Sequence, residues 1–313
     1  MALHVNADNF VGAETARMFH DFQAEAGAVN VFSHVREPSP IENQLVVRLN
    51  RDTLYSFAVV DLAQDAVLTL PDCGERYLSA MLVNEGHFVP LVLHAAGPHR
   101  LTQNEVGSRY AALAIRILVD SQDPDDVAEV NRLQDALSIE SGSAVPFALD
   151  DYDKASFDAT RDALLKLAAG LSSFDRTFGR PDEVDPVRHL IGTAAGWGGL
   201  PSSEAAYVGV QPDGDGPYEL TMADVPVDGF WSISVYDAKG FFAQNDRDSY
   251  SINNIVGVPN EDGSVTVRFG DFGPDVPNAI PTPEGWNFLV RLYRPRPEIH
   301  DGTWKVPALV PVS

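Results

Sequence analysis

The sequence predicts a mainly β protein in which a helical insert separates two β domains. Three observations carry this prediction. Short runs rich in Val, Ile, Leu, Tyr and Phe recur at close intervals up to residue 119 and again from residue 218, each bounded by turn residues. Between them, from residue 123 to 195, apolar residues fall at helical spacing instead. The 313 residues are enough for two separate cores without disulfides or metals to staple them.

Taken in order, residues 9–26 set Phe10, Val11, Met18, Phe19 and Phe22 on one stripe, an amphipathic helix that Gly27 stops. Strands are expected at 44–49, 54–60, 66–70, 77–83, 88–93 and 110–119, with Pro71, Gly74, Gly86, Gly97 and Pro98 among the turn residues that separate them. That rhythm belongs to a sandwich or barrel rather than to alternating strand and helix. The next helix is well marked: Asp123 can cap, Pro124 fits the first position, and Val127, Val130, Leu133 and Leu137 form one face. Helical spacing returns at 153–171 and, more briefly, at 186–195. Strands resume at 218–222, 230–236, 264–269 and 286–293; Asp262 and Gly263 signal a hairpin, and 270–285 reads as an irregular loop. The expected division is an N-terminal helix (1–27), a β domain (28–122), a helical segment (123–200) and a second β domain (201–313).

Composition excludes several function classes. Asp and Glu number 45 against 22 Lys and Arg, a net charge of -23, so nucleic acid and anionic membranes are repelled and the scattered basic residues form no stripe for a polyanion. The remaining reading of the acidity is a solvated surface that favours solubility. Cys73 stands alone, which rules out an intrachain disulfide and a thiolate metal cluster and suits a reducing compartment. The N-terminus carries no basic head followed by an apolar core, and no apolar run reaches the roughly 18 residues of a membrane span. A cytoplasmic location is expected, and edge strands leave room for a homo-oligomer.

The common catalytic signatures are missing: no Gly-x-Ser-x-Gly elbow, no His-Glu-x-x-His, no phosphate loop and no dinucleotide fingerprint. His87 and His94, seven apart in an expected strand, fall on opposite faces, so neither a metal nor a cofactor is expected. Three segments stand out. Asn50, Arg51, Asp52 and Tyr55 make a dense polar interruption between apolar strands, either a turn bonded to its own backbone or part of a site. From Asp228 through Trp231 and Tyr236 to Asn245, Tyr250 and Asn253, aromatics and amides converge as a small-molecule pocket requires, although alternating aromatics also suit a core. In the last strand Arg291 shares a face with Asn287, where it can be paired inward.

Together these segments resemble a bacterial tandem of domains of unknown function, DUF1254 followed by DUF1214. The first domain is matched by Asn50, Asp52 to Ser56, Pro71, Arg76 and Tyr77. The second is matched by Pro226 to Ser232, Asn245, Tyr250 to Ile252, Asp262 and Gly263, Arg291 to Pro295 and Asp301 to Trp304. The resemblance implies an immunoglobulin-like β-sandwich, a small helical segment and a jelly-roll-like β-sandwich. It departs at Asn278 to Pro281, where the family has Trp after the Asn and this chain has Ala279. It implies no established chemistry. From the residues themselves, the expected site is a pocket between the two β domains, formed by Asn50, Asp52, Tyr55, Arg76, Trp231, Asn245 and Arg291. There Asp52 serves as base, Tyr55 as proton donor and Arg76 with Arg291 as holders of an anionic oxygen, in the hydrolysis of a small polar ester-like substrate. A noncatalytic ligand-binding or structural module, and a lyase or isomerase using the same carboxylate, remain open beside it.

Overall fold

The computed structural model describes residues 2–44, 47–171 and 173–312. Two units divide the chain: Met1–Arg36, Tyr55–Ile117 and Glu129–Ser202 form the first, and Glu37–Leu54, Leu118–Ala128 and Ser203–Ser313 the second. The chain is mainly β, its strands paired almost throughout antiparallel, and among the described residues no sheet closes into a barrel. The N-terminal helix and most of the expected helical segment belong to the first unit, together with its strands.

The first unit begins with α1 (Phe10–Ala26), which stops where Gly27 takes the left-handed conformation, φ 84°, that costs glycine least. Strands β1 (Ser33–His34), β2 (Thr53–Asp61), β3 (Ala66–Leu70), β4 (Leu78–Asn84), β5 (Leu91–Leu93) and β6 (Gly97–Leu101) follow, then α2 (Gln103–Val106) and β7 (Tyr110–Leu118). After these come α3 (Pro124–Asp135), β8 (Ser138–Ser141), α4 (Lys154–Ala168) and α5 (Pro186–Gly196). One sheet runs β1-β2-β7-β4-β5 and the other β6-β3-β8. β4 and β7 are buried along their whole length, which is why they read as continuous apolar runs rather than alternating ones. Caps set the two later helices: Asp153 accepts from Ser156 N, and Asp185 accepts from Val187 N and Arg188 N ahead of Pro186. Phe10, Phe157, Leu164 and Ile191 close a small core among α1, α4 and α5.

Several strands differ from expectation. Of the predicted strand at 44–49, residues 45 and 46 lie outside the described residues, and Val47 and Arg48 form a turn, with Arg48 at φ 53°. The strand expected at 88–93 shortens to β5 because Pro90 lacks the N–H a ladder needs. His87, at φ 60°, lies in the turn after β4, so strand alternation places neither it nor His94. β8 lies inside the segment expected to be helical and pairs with β3 in register Ala66↔Ser141.

The second unit holds β9 (Ala205–Val210), β10 (Tyr218–Met222), β11 (Trp231–Tyr236), β12 (Ser251–Asn253), β13 (Val265–Phe269), β14 (Ala279–Ile280), β15 (Asn287–Tyr293), α6 (Pro297–His300) and β16 (Val310–Pro311). They form two four-stranded sheets, β14-β13-β10-β16 and β12-β11-β15-β9. The sheets share one core, in which Trp231, Ile233, Phe288, Val290 and Leu292 of one meet Leu220, Val267 and Phe269 of the other. Gly263, at φ 83°, closes the Asn260 to Ser264 turn, but the strand it leads into pairs with β10 and β14 rather than with β12, so the expected hairpin does not form.

Alternation sends the other half of β11 and β15 to the opposite face: Ser232, Ser234 and Tyr236 from one strand, Asn287, Arg291 and Tyr293 from the other. All six are buried, with the partly buried Leu289 beside them, so this face is mostly polar and mostly dry. The segment 48–50 bonds to it. Arg291 donates to Arg48 O at 2.8 Å and Leu49 O at 3.2 Å, Tyr236 OH donates to Leu49 O at 2.8 Å, and Asn50 Nδ2 donates to Tyr293 OH at 3.1 Å.

Candidate functional site

The polar segment at Asn50 is a turn with an unusual occupant. Asn50 Oδ1 accepts from Asp52 N at 3.0 Å, the two-residue bond that asparagine makes in turns, while its Nδ2 donates to Thr53 Oγ1 at 3.2 Å. Val119 N donates to Asp52 O at 2.9 Å, so the Asp52 backbone is held on both sides. Its side chain is only 2 % exposed, and its contacts are thin. Oδ1 accepts from Ser251 Oγ at 3.3 Å and from Asn253 Nδ2 at 3.5 Å, both long, and Oδ2 has no hydrogen-bond partner among the described residues.

The orientation of Asn253 is determined by its neighbours. Its Oδ1 accepts from Ile255 N and Val256 N, each at 2.9 Å, which leaves the amide nitrogen to face the Asp52 carboxylate. Ser251 and Asn253 are two apart on β12 and so share a face, with Ile252 turned the other way.

Asp52 lines a cavity of about 100 Å³ together with Arg51, Val119, Asp120, Ser121, Gln122, Tyr250, Ser251, Ile252, Asn253 and Val256, all from the second unit. Asp52, Val119, Tyr250 and Asn253 are buried, whereas Gln122 is exposed and marks the rim. The Arg51 guanidinium lies 5.5 Å over the Tyr250 ring and donates to Ser39 O. Burial lowers the Arg51 pKa, opposed by Asp248, and raises that of the Tyr250 phenol, reinforced by Asp248. The space is smaller than the roughly 150 Å³ that holds a benzene, so it suits waters or one functional group of a ligand. An ionised carboxylate can only accept, so its free oxygen calls for a donor from that space.

The other expected residues are placed as follows. Arg291 is 2 % exposed and held by four bonds: besides the two carbonyls it donates to Ser234 Oγ at 2.7 Å and Tyr236 OH at 2.6 Å. Burial lowers its pKa, but Tyr236, Tyr293 and Asp52 outweigh this and the net shift is upward, so the guanidinium stays charged. It clamps the Asn50 turn to the sheet. Trp231 belongs to the core between the sheets and lines a separate cavity with Met222, Ile255 and Val265. Asn245 organises its own loop, donating to Ser249 O at 2.9 Å and accepting from Arg247 N and Ser249 N. Tyr55 and Arg76 belong to the first unit. There Tyr55 lies under the Arg116 guanidinium at 5.3 Å, and Arg76 follows the Cys73 turn.

Arg51, Ser251, Asn253 and the Asp120 to Gln122 turn join Asp52 although none of them was among the expected site residues. Arg51 and the Tyr250 to Asn253 run stand out in sequence as polar interruptions; nothing local marks Asp120 to Gln122. Among the described residues no group of three His, Cys, Asp or Glu is arranged to hold a metal ion, and no helix is long and apolar enough to cross a membrane.

A mainly β chain of two units, the second with a polar pocket under a clamped turn, defines the class. The chain carries matches to two domains of unknown function, in this order: DUF1254 over residues 29–86 and DUF1214 over residues 201–297. No curated protein matches the sequence. Among solved structures, the VPA0106 protein from Vibrio parahaemolyticus is similar over 98 % of each chain, with a TM-score of 0.71 and 18 % identity. An uncharacterized protein from Burkholderia cenocepacia is similar over 97 % of this chain and 87 % of its own, with a TM-score of 0.54 and 16 % identity. Both are likenesses of fold.

Proposed function

We propose that the protein is a small-molecule hydrolase that works from the Asp52 pocket of the second unit. The observation that carries this reading is the buried Asp52 Oδ2, which lacks a hydrogen bond at the wall of a cavity. A water seated on that oxygen gives up a proton to it while attacking an ester-like carbonyl, and the proton then passes to the departing alkoxide, so that acid and alcohol result. Arg51, which lines the same cavity, is the group to hold the developing oxyanion. Substrates are small, or present a small polar group to the cavity from outside.

For the finer fold, we read the second unit as jelly-roll-like, which its two four-stranded sheets around one core support, with the parallel β13–β14 pair as a local variation. The first unit we read as immunoglobulin-like.

A structural reading of the same turn is favoured by Arg291, whose guanidinium is taken up by the protein's own groups. Hydrolysis of p-nitrophenyl acetate and butyrate separates the two. Turnover that falls by about 100-fold or more in Asp52→Asn, with the melting temperature held, supports the hydrolase. A wild type silent on both esters, with Asp52→Asn destabilised, supports the structural module.

A further inference from the structure

The first unit contains a larger cavity, of about 540 Å³, well away in sequence from Asp52. Its walls come from α1 and from the segment after β8, and Phe19, Tyr110, Phe147 and Tyr152 supply four aromatic rings. The cavity is preformed. Gln23 pins Phe147 in both directions, Nε2 donating to Phe147 O at 3.2 Å and Oε1 accepting from Phe147 N at 2.7 Å. Tyr110 OH donates to Val145 O at 3.0 Å, and the Tyr110 and Phe147 rings meet edge to face at 5.2 Å.

The charges are uneven. Glu85 and Asp150 line the cavity, against Arg109 as the cation among the lining residues. That guanidinium is already engaged, donating through Nε to Asp61 Oδ1 at 3.0 Å and through Nη2 to Oδ2 at 3.3 Å. Burial pushes the Glu85 carboxyl up, opposed by Arg109 and the Tyr110 amide, so a second cation nearby stabilises its ionised form. Arg109 also lies 5.0 Å over the Tyr110 ring, which leaves Phe147, Tyr152 and the two carboxylates to offer what an ammonium ion with an apolar substituent needs, the rings through their quadrupoles and the carboxylate through a charged hydrogen bond. The volume falls in the range of small-molecule sites, and a net charge of -23 draws cations toward the protein.

We propose that this cavity binds an organic ammonium ion, its charge beside Glu85 and its apolar body against Phe147 and Tyr152. The site is independent of Asp52. Gly12, on the cavity wall in α1, offers a variant that spares the fold: a Cβ there meets nothing within 4 Å, and leucine is a better helix former than glycine. The test is calorimetric titration of the full chain with phenethylammonium and with the neutral phenethyl alcohol, at low salt. Saturable binding of phenethylammonium is expected, weakened by about tenfold in Glu85→Gln and for the neutral alcohol. Gly12→Leu should abolish it with the melting temperature kept or raised, and Asp52→Asn should leave it unchanged. The proposal is overturned if wild type does not bind, if the alcohol binds as tightly as the ammonium, if Gly12→Leu still binds, or if Asp52→Asn abolishes binding.

Discussion

The Ser251 hydroxyl donates to Asp52 Oδ1 over 3.3 Å, one of two long bonds that hold a carboxylate otherwise sealed from solvent. A carboxylate in such surroundings is ordinarily ringed by several short bonds. Asp61 in the first unit is the contrast: it accepts from Arg109, Ser143 Oγ at 2.5 Å, Val145 N at 2.9 Å and Ala63 N at 3.1 Å. One acid is fully used by the fold, and the other keeps an oxygen in reserve.

Asn253→Asp tests the surroundings of Asp52. The new carboxylate can still accept from Ile255 N and Val256 N, but it sets an acceptor where Nδ2 donated to Asp52. Near neutrality the variant should lose about 1–3 kcal/mol in urea unfolding, because an acceptor then faces an acceptor in a buried place. Wild-type stability near neutrality would mean that Asn253 does not face Asp52.

Arg291→Lys should cost about 3–5 kcal/mol. An ammonium cannot reach Ser234, Tyr236 and the carbonyls of Arg48 and Leu49 in the geometry a planar guanidinium satisfies, and whatever it misses stays buried. Guanidinium chloride unfolding measures this; a cost below about 1 kcal/mol, the range of an exposed pair, would remove Arg291 from its role as clamp.

His87 makes an acid-sensitive point in the first unit. It is fully buried; its Nε2 accepts from Gly198 N at 3.0 Å and Nδ1 stands 2.7 Å from Thr193 Oγ1, whose own proton goes to His189 O. The neutral ring with its proton on Nδ1 satisfies every partner, and burial, reinforced by His189, lowers the pKa to about 3. The unfolded chain takes up this proton near pH 6.5, so the folded state loses stability as pH falls from about 6.5 toward 3, by up to about 5 kcal/mol. Unfolding free energy followed against pH should have a clearly smaller slope in His87→Gln over that interval, and equal slopes would contradict the assignment.

Asp61→Asn removes the charge from the Arg109 pair and sets an NH2 against one of the two backbone amides that the carboxylate accepts from. Burial raises the Asp61 pKa, but Arg109, Ser143 and the amides outweigh this and hold the carboxyl well below its ordinary range. Its stabilising contribution is therefore complete above the unfolded value near pH 4 and is lost as pH falls below it. The variant should be less stable by about 2–4 kcal/mol near neutrality and approach wild type in strong acid, as read by thermal melts across pH. A constant difference at all pH values would show that charge is not the cause.

Much of the fold is legible in the sequence because its signals are local. Helix α1 ends at Gly27 as expected, and β3 and β10 fall on the predicted residues 66–70 and 218–222. Asp123 begins α3, with Oδ1 accepting from Asp125 N at 2.9 Å. The two-residue strands β1, β14 and β16 are not legible, because a pair of residues has no periodicity; their existence depends on a partner strand elsewhere in the chain. The site is half legible. Asp52 stands out as a charge between apolar strands, but nothing near it in sequence announces Asn253 or Asp120, which only chain closure brings to the same cavity.

By itself the sequence determined the class, a mainly β chain with helices between its strands, since spacing and turn residues act over a few neighbours. It also determined the alternation along β11 and β15, Trp231, Ile233 and Val235 against Ser232, Ser234 and Tyr236. Only the tertiary structure decided what the second face meets. Alternation of this kind ordinarily means one dry face and one wet face, yet the Asn50 turn covers the polar side and Arg291 bonds to its carbonyls. Burying Arg291, Tyr236 and Tyr293 is tolerable because each finds a partner in the distant segment 48–50, whereas Ser232 Oγ and Asn287 Oδ1, like Asp52 Oδ2, have no hydrogen bond among the described residues.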